Sequence, residues 1–176
     1  MTRILVCYGT NQGHTGGLAE RAAERLRAKS FTVDLWNADE PPPSTQPPDA
    51  VLLLGSVHMG AHQGPLERAA RAGAKIWAGK PIAFVSSSLS AASKDPKEVA
   101  AAQTIADAFL KEAGLVGAKV HLAAGAVHEG ELNWVTRWLM REILKRHGMA
   151  QDPSGDTVLT DYAAFDAFVD GFAAGL

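Results

Sequence analysis

Short, branched apolar runs alternate along this chain with segments of helical periodicity, and that alternation leaves few folds open. "RILVCY" (3–8), "FTVDLW" (31–36), "AVLLLG" (50–55), "KPIAFVS" (80–86) and "GAKVHLAAGAV" (117–127) read as five strands. Between them, residues 15–29 place Leu18, Ala22 and Leu26 on one helical face, and Gly64-Pro65 opens a helix to about Ala74 with proline at its start. "DPKE" (95–98) carries an Asp cap, Pro at the first helical position and Glu three residues after the cap, opening a helix to about Ala113. Thr160-Asp161 caps a last helix in which Tyr162, Phe165, Phe168, Val169 and Phe172 recur at helical spacing. The proline-rich stretch 38–49 is a surface connector. Five strands interleaved with helices predict a doubly wound parallel α/β domain. One domain over 1–176 is expected, with an insertion at about 128–157.

Composition sets limits on partners. At 176 residues and 47% hydrophobic, the chain can bury a core, and a net charge of −2 offers nucleic acid no strongly basic face. No run of about 18 apolar residues is present to span a bilayer. The apolar start before Gly9 is too short for a signal peptide, and the single Cys7 reads as a buried core residue suited to a reducing cytoplasm.

In doubly wound sheets ligands bind beyond the C-terminal strand ends, where the strand order reverses. The loops that matter are "GTNQGHT" (9–15), "GSVHMGAHQG" (55–64) and "SSSLSAASKD" (86–95), all polar and nearly free of charge. The first runs from a strand into a helix N-terminus, where backbone N–H groups and the helix dipole favour an anion. Thr10 and Thr15 add hydroxyls, Asn11 and Gln12 amides, Gly13 close backbone approach, and His14 a ring that faces either the anion or solvent. A phosphate is the expected ligand. The loop lacks the Gly-Lys-Ser/Thr of a nucleotide-triphosphate loop and the G-x-G-x-x-G of a dinucleotide fold. Gly9 and Gly55-Ser56 stand where a phospho-acceptor receiver domain would need acids. His58 and His62 lie without accompanying cysteines or acids, so no metal site is expected. Ser86, Ser87 and Ser88 lack a nucleophile elbow.

"VCYGTNQGHTGGLA" (6–19) resembles the flavodoxin signature, with Tyr8, Thr10, Gly13, Thr15 and Ala19 in its defined places. The resemblance implies strand order 2-1-3-4-5 and FMN as cofactor. Its phosphate would sit among Thr10, Asn11, Gln12, Gly13, His14 and Thr15, with Ser56, Val57, His58, Gly60, Ser88, Leu89 and Ser90 lining the isoalloxazine ring. "GSVHMGAHQG", the segment 128–148 after strand five and "VLTDY" (158–162) are similar to the menaquinone-dependent protoporphyrinogen oxidase branch of flavodoxin-like proteins. That branch implies a porphyrinogen substrate, a quinone acceptor and a role in haem biosynthesis. His128, Glu129, Gly130, Glu131 and Leu132 replace the aromatics and arginines with which the branch's insertion begins, so a relative with another substrate stays open.

The insertion also has a reading of its own. On a helix from about 132 to 147, Leu132, Val135, Leu139 and Ile143 form an apolar stripe beside Trp134 and Trp138. Arg137, Arg141 and Lys145 recur on another face; with Arg146 and against Glu142 they give about +3. Such a helix suits an anionic membrane surface or packs its stripe on the sheet edge. Trp134, Arg137, Trp138 and Arg141 are candidate contacts for substrate carboxylates or lipid. The expected function is an FMN-dependent oxidase of protoporphyrinogen IX at or near the cytoplasmic face of a membrane. Two alternatives are an electron-carrying flavodoxin, for which −2 is a weak charge and loops without Trp, Tyr or Phe are unusual, and a flavin-free binding module.

Overall fold

A computed structural model describes residues 1–10, 13–43, 46–128 and 156–176. Strands β1 (Arg3–Gly9), β2 (Thr32–Asn37), β3 (Ala50–His58), β5 (Ile82–Ser88) and β6 (Lys119–Ala124) form a parallel sheet in the order β2-β1-β3-β5-β6. This is the expected 2-1-3-4-5 order once a short antiparallel strand, β4 (Ala61–His62), is set aside. Helices α1 (His14–Ala28) and α4 (Tyr162–Ala173) cover one face, α2 (Gly64–Gly73) and α3 (Pro96–Ala113) the other.

Strand side chains alternate between the two faces. Ile4, Val6, Leu52, Leu54 and Val85 meet Leu18, Leu26, Phe165 and Val169 on the α1/α4 side. Leu5, Cys7, Val51, Leu53 and Phe84 meet Leu66, Trp77, Phe109 and Leu110 on the α2/α3 side. Burial on both faces explains why β1 and β3 read as unbroken apolar runs, and why β2, at the sheet edge, is only half-buried and alternates. Cys7 is fully buried, and burial pushes its thiol far above the ordinary range.

Helix ends follow local chemistry. Asp95 caps α3 by accepting from the Lys97 N–H at 2.9 Å, and left-handed Gly114 ends it. Asp161 caps α4 through the Ala164 N–H at 3.0 Å.

Two expectations are corrected. The segment 55–64 is not wholly a loop: β3 continues to His58 and turns back into β4, with Val57 opposite His62. The turn residues Met59 and Gly60 have φ of 50° and 82°, the positive values a two-residue type I′ hairpin needs. The run 117–127 is not one strand either. β6 stops at Ala124; Gly125, in contact with Ser87 and Ser88, redirects the chain into β7 (Ala126–His128), which pairs antiparallel with β8 (Asp156–Val158).

Gly73 offers a test of packing against propensity. A Cβ there would lie 2.2 Å from Trp77 Cζ2, and Trp77 is only 3% exposed. Gly73→Ala gains about 1 kcal/mol of helix propensity but displaces a buried indole at about 1–3 kcal/mol. Urea denaturation should therefore show a net loss of stability, where an exposed helical glycine would show a gain.

Candidate cofactor site

The sheet order reverses between β1 and β3, so their C-terminal ends, with that of β5, define the crevice. Gly9 pairs with Gly55, and Gly55 with Ser86, which sets the three loops side by side. A Cβ on Gly9 would sit 3.0 Å from Leu66 Cβ, and one on Gly55 2.6 Å from Leu66 Cδ2. The close approach of α2, and not only a ligand, therefore favours glycine at both positions.

The N-terminus of α1 is built for an anion. Gly13 takes the cap position in a left-handed conformation, no side chain caps the helix, and its first turn holds no acid. Thr10 Oγ1 accepts the Gly13 N–H at 3.0 Å, which leaves its O–H able to donate. Thr15 is buried at 1% exposure, and Gly16 lies where a Cβ would touch the Tyr8 ring at 3.4 Å. Asn11 and Gln12 fall outside the described residues.

His14, the first residue of α1, is half-buried, and its Nε2 lies 2.8 Å from Thr160 Oγ1. Thr160, expected as part of the α4 cap, donates its hydroxyl to the Ala124 carbonyl at 2.6 Å and leaves capping to Asp161. Nothing in the sequence signals this contact across 146 positions.

The second and third loops are polar but neutral around the crevice. Ser56 binds the Gln63 side-chain amide; Val57 is half-buried, and His58, Met59 and Gly60 are exposed at the hairpin tip. Ser88 Oγ accepts from the Ala91 N–H at 3.2 Å and retains its own O–H; Leu89 and Ser90 enter a short 3₁₀ turn, Ser90–Ala92. Gln63 Oε1 is buried with no partner beneath Gly9 and Gly55. His62 is drawn into the core, with Nε2 3.0 Å from Ser86 Oγ and its ring against Phe84 and Phe109. Trp134, Arg137, Trp138 and Arg141 lie outside the described residues.

An uncapped, acid-free helix start and hydroxyls that can still donate define an α/β protein whose strand-end crevice can receive an anion such as a phosphate. The flavodoxin domain family matches residues 5–154, and the chain belongs to that family. It is 26% identical to the protoporphyrinogen IX dehydrogenase [quinone] of Leishmania major, over 98% of this chain and 75% of that one. The enzyme of the same name from Escherichia coli K12 is 24% identical, over 91% and 88%. Oxidised flavodoxin 1 from Bacillus cereus superposes with a TM-score of 0.59 at 18% identity, over 99% of both chains. The protein is thus a flavodoxin-like flavoprotein with FMN as its cofactor, and the donor set at α1 fits a phosphate monoester.

Burial lowers the His62 pKa to about 4 from an ordinary 6.5, so the folded protein holds the ring neutral. Below pH 6.5 the unfolded chain takes up a proton that the folded one refuses until about 4. Stability should therefore fall across that window as pH drops, by up to about 3 kcal/mol. His121, stacked on Phe168, is lowered by burial and adds to the same slope. Urea midpoints across this range should separate wild type from His62→Gln, whose acid-induced loss is smaller.

Proposed function

We propose that this chain is an FMN-dependent oxidoreductase that converts protoporphyrinogen IX to protoporphyrin IX and passes the electrons to a quinone. The observation that carries this reading is whole-length similarity to protoporphyrinogen IX dehydrogenases from two distant organisms. The composition of the ring loops supports it. Residues 55–64 and 86–95 hold no Trp, Tyr or Phe to stack on a flavin, so a bulky macrocycle meets no aromatic lid from them.

FMN, when bound, supplies the acceptance and release of electron pairs. The chain supplies place and polarity. Backbone N–H groups of the α1 N-terminus, with Thr10, Asn11, Gln12, Gly13, His14 and Thr15, hold the phosphate. Ser56, Val57, His58, Gly60, Ser88, Leu89 and Ser90 line the ring, and their hydroxyls and backbone offer hydrogen bonds without fixed charge. No side chain is assigned as acid or base.

Among the described residues, no helix is long and apolar enough to cross a membrane. We assign quinone access to the basic segment 132–147, resting on the anionic cytoplasmic face of a membrane. Trp134 and Trp138 would sit at the interface, and Arg137 and Arg141 would meet lipid or substrate carboxylates.

Anaerobic incubation of FMN-loaded protein with protoporphyrinogen IX and a menaquinone analogue should give acceptor-dependent porphyrin fluorescence above a no-enzyme control. FMN binding without turnover would sink the substrate assignment in favour of an electron carrier or another substrate. Changing Arg137 and Arg141 together to Ala should lower quinone-coupled oxidation by about tenfold while flavin content holds; unchanged turnover would remove their role.

A further inference from the structure

The start of α1 is tied to the far edge of the sheet through the Thr160 hydroxyl. We infer that Thr160 is a positioning residue for the cofactor phosphate, acting through His14 to hold the first turn of α1 in its anion-receiving arrangement. The inference rests on the proposal that this turn receives the phosphate.

Thr160 has a single hydroxyl proton, which it gives to the Ala124 carbonyl at 2.6 Å. Its oxygen must then accept at the 2.8 Å contact with His14, so His14 Nε2 carries a hydrogen. The imidazole becomes a crosslink from the first residue of α1 to the corner where β6 ends and α4 begins. That corner is continuous with the third loop: Gly125 N–H donates to the Ser88 carbonyl at 3.1 Å, and Leu159 N–H to the Gly125 carbonyl at 3.1 Å. Phosphate side and ring side thus share one hydrogen-bonded chain.

Attachment of α4 does not need this bond. Arg21 pairs with Asp166 at 2.7 Å, Arg25 with Asp170 at 2.6 Å and Lys29 with Asp170 at 3.4 Å, while Phe165, Val169 and Phe172 bury against the sheet. The Thr160–His14 bond acts at the helix start alone, where α1 has no side-chain cap of its own. Donors aimed at an anion bind it best when held in place before it arrives.

Riboflavin lacks the phosphate, so the ratio of FMN to riboflavin affinity, read by flavin fluorescence quenching on the full apo chain, isolates this effect. Thr160→Val should lower the ratio about five- to tenfold and leave riboflavin affinity nearly unchanged; Thr160→Ser should restore it. Asp170→Asn, which loosens the same helix pair elsewhere, should lower the melting temperature without moving the ratio. In a His14→Leu background, Thr160→Val should have no further effect. A ratio unmoved by Thr160→Val, or moved equally by Asp170→Asn, overturns the inference and leaves the phosphate site standing. A wild-type chain that binds FMN no better than riboflavin overturns the phosphate site, and the inference with it.

Discussion

Everything else in this fold follows from the burial of β1, β3 and β5 on both faces. Val51, Leu52, Leu53 and Leu54 are four consecutive residues with no exposed surface, which requires a helical layer above and below. At about 25 cal/mol per Å² of apolar surface removed from water, this two-sided contact is the main favourable term. It also confines chemistry. With both faces occupied, irregular backbone is left at the strand ends, and polar loops gather at the C-terminal edge. Leu66 then presses α2 so close to Gly9 and Gly55 that a side chain at either position would crowd it. The crevice is therefore shaped by core packing before any ligand contributes.

The α1/α4 pair shows how burial and charge divide their tasks. Phe165, Val169 and Phe172 supply the apolar contact that holds α4 down. Arg21, Arg25 and Lys29, spaced four apart, face Asp166 and Asp170, also four apart, and Arg21 lies over the Tyr162 ring at 5.1 Å. Hydrogen bonds from the arginines hold both carboxyls below the usual carboxylate range. These pairs are partly exposed, so each contributes little to stability. Their periodicity lays a ladder of pairs along the two helices, with Arg25 bridging both Asp166 and Asp170. Beyond the ladder, at the start of both helices, Thr160 meets His14.

Where sequence reading succeeded, the deciding interactions were local or periodic. The strand faces, the Asp95-Pro96 start of α3, the Pro65 start of α2 and the edge position of β2 all rest on residues within a few positions of one another. The flavodoxin signature was legible because a phosphate loop is itself a local structure. The hairpin after β3 was not: Met59 is a poor marker for a positive-φ turn, so a stretch rich in glycine and histidine read as loop. His62 read as a loop residue without metal partners, and only the structure reveals Phe84 and Phe109 around it. The break at Gly125 was hidden because the apolar run 122–127 continues across it. Thr160 carried a cap signal that Asp161 fulfils, and its bond to His14 depends on how the whole sheet is ordered.

The loops around the proposed ring site bear on how electrons would leave it. A carrier that hands electrons to protein partners needs an exposed ring edge and a charged surface to steer encounter. Here the net charge is −2, and the exposed hairpin tip carries His58, Met59 and Gly60, none of them acidic. Weak steering is a poor design for a diffusing shuttle and no handicap for an enzyme whose substrate is small. A flexible thioether at that tip suits contact with a small apolar surface better than pairing with a charged protein surface. Met59 holds a φ of 50° where Asn or Gly is the usual hairpin choice, a small local strain at the tip. Its side chain is 94% exposed, so burial does not offset that strain.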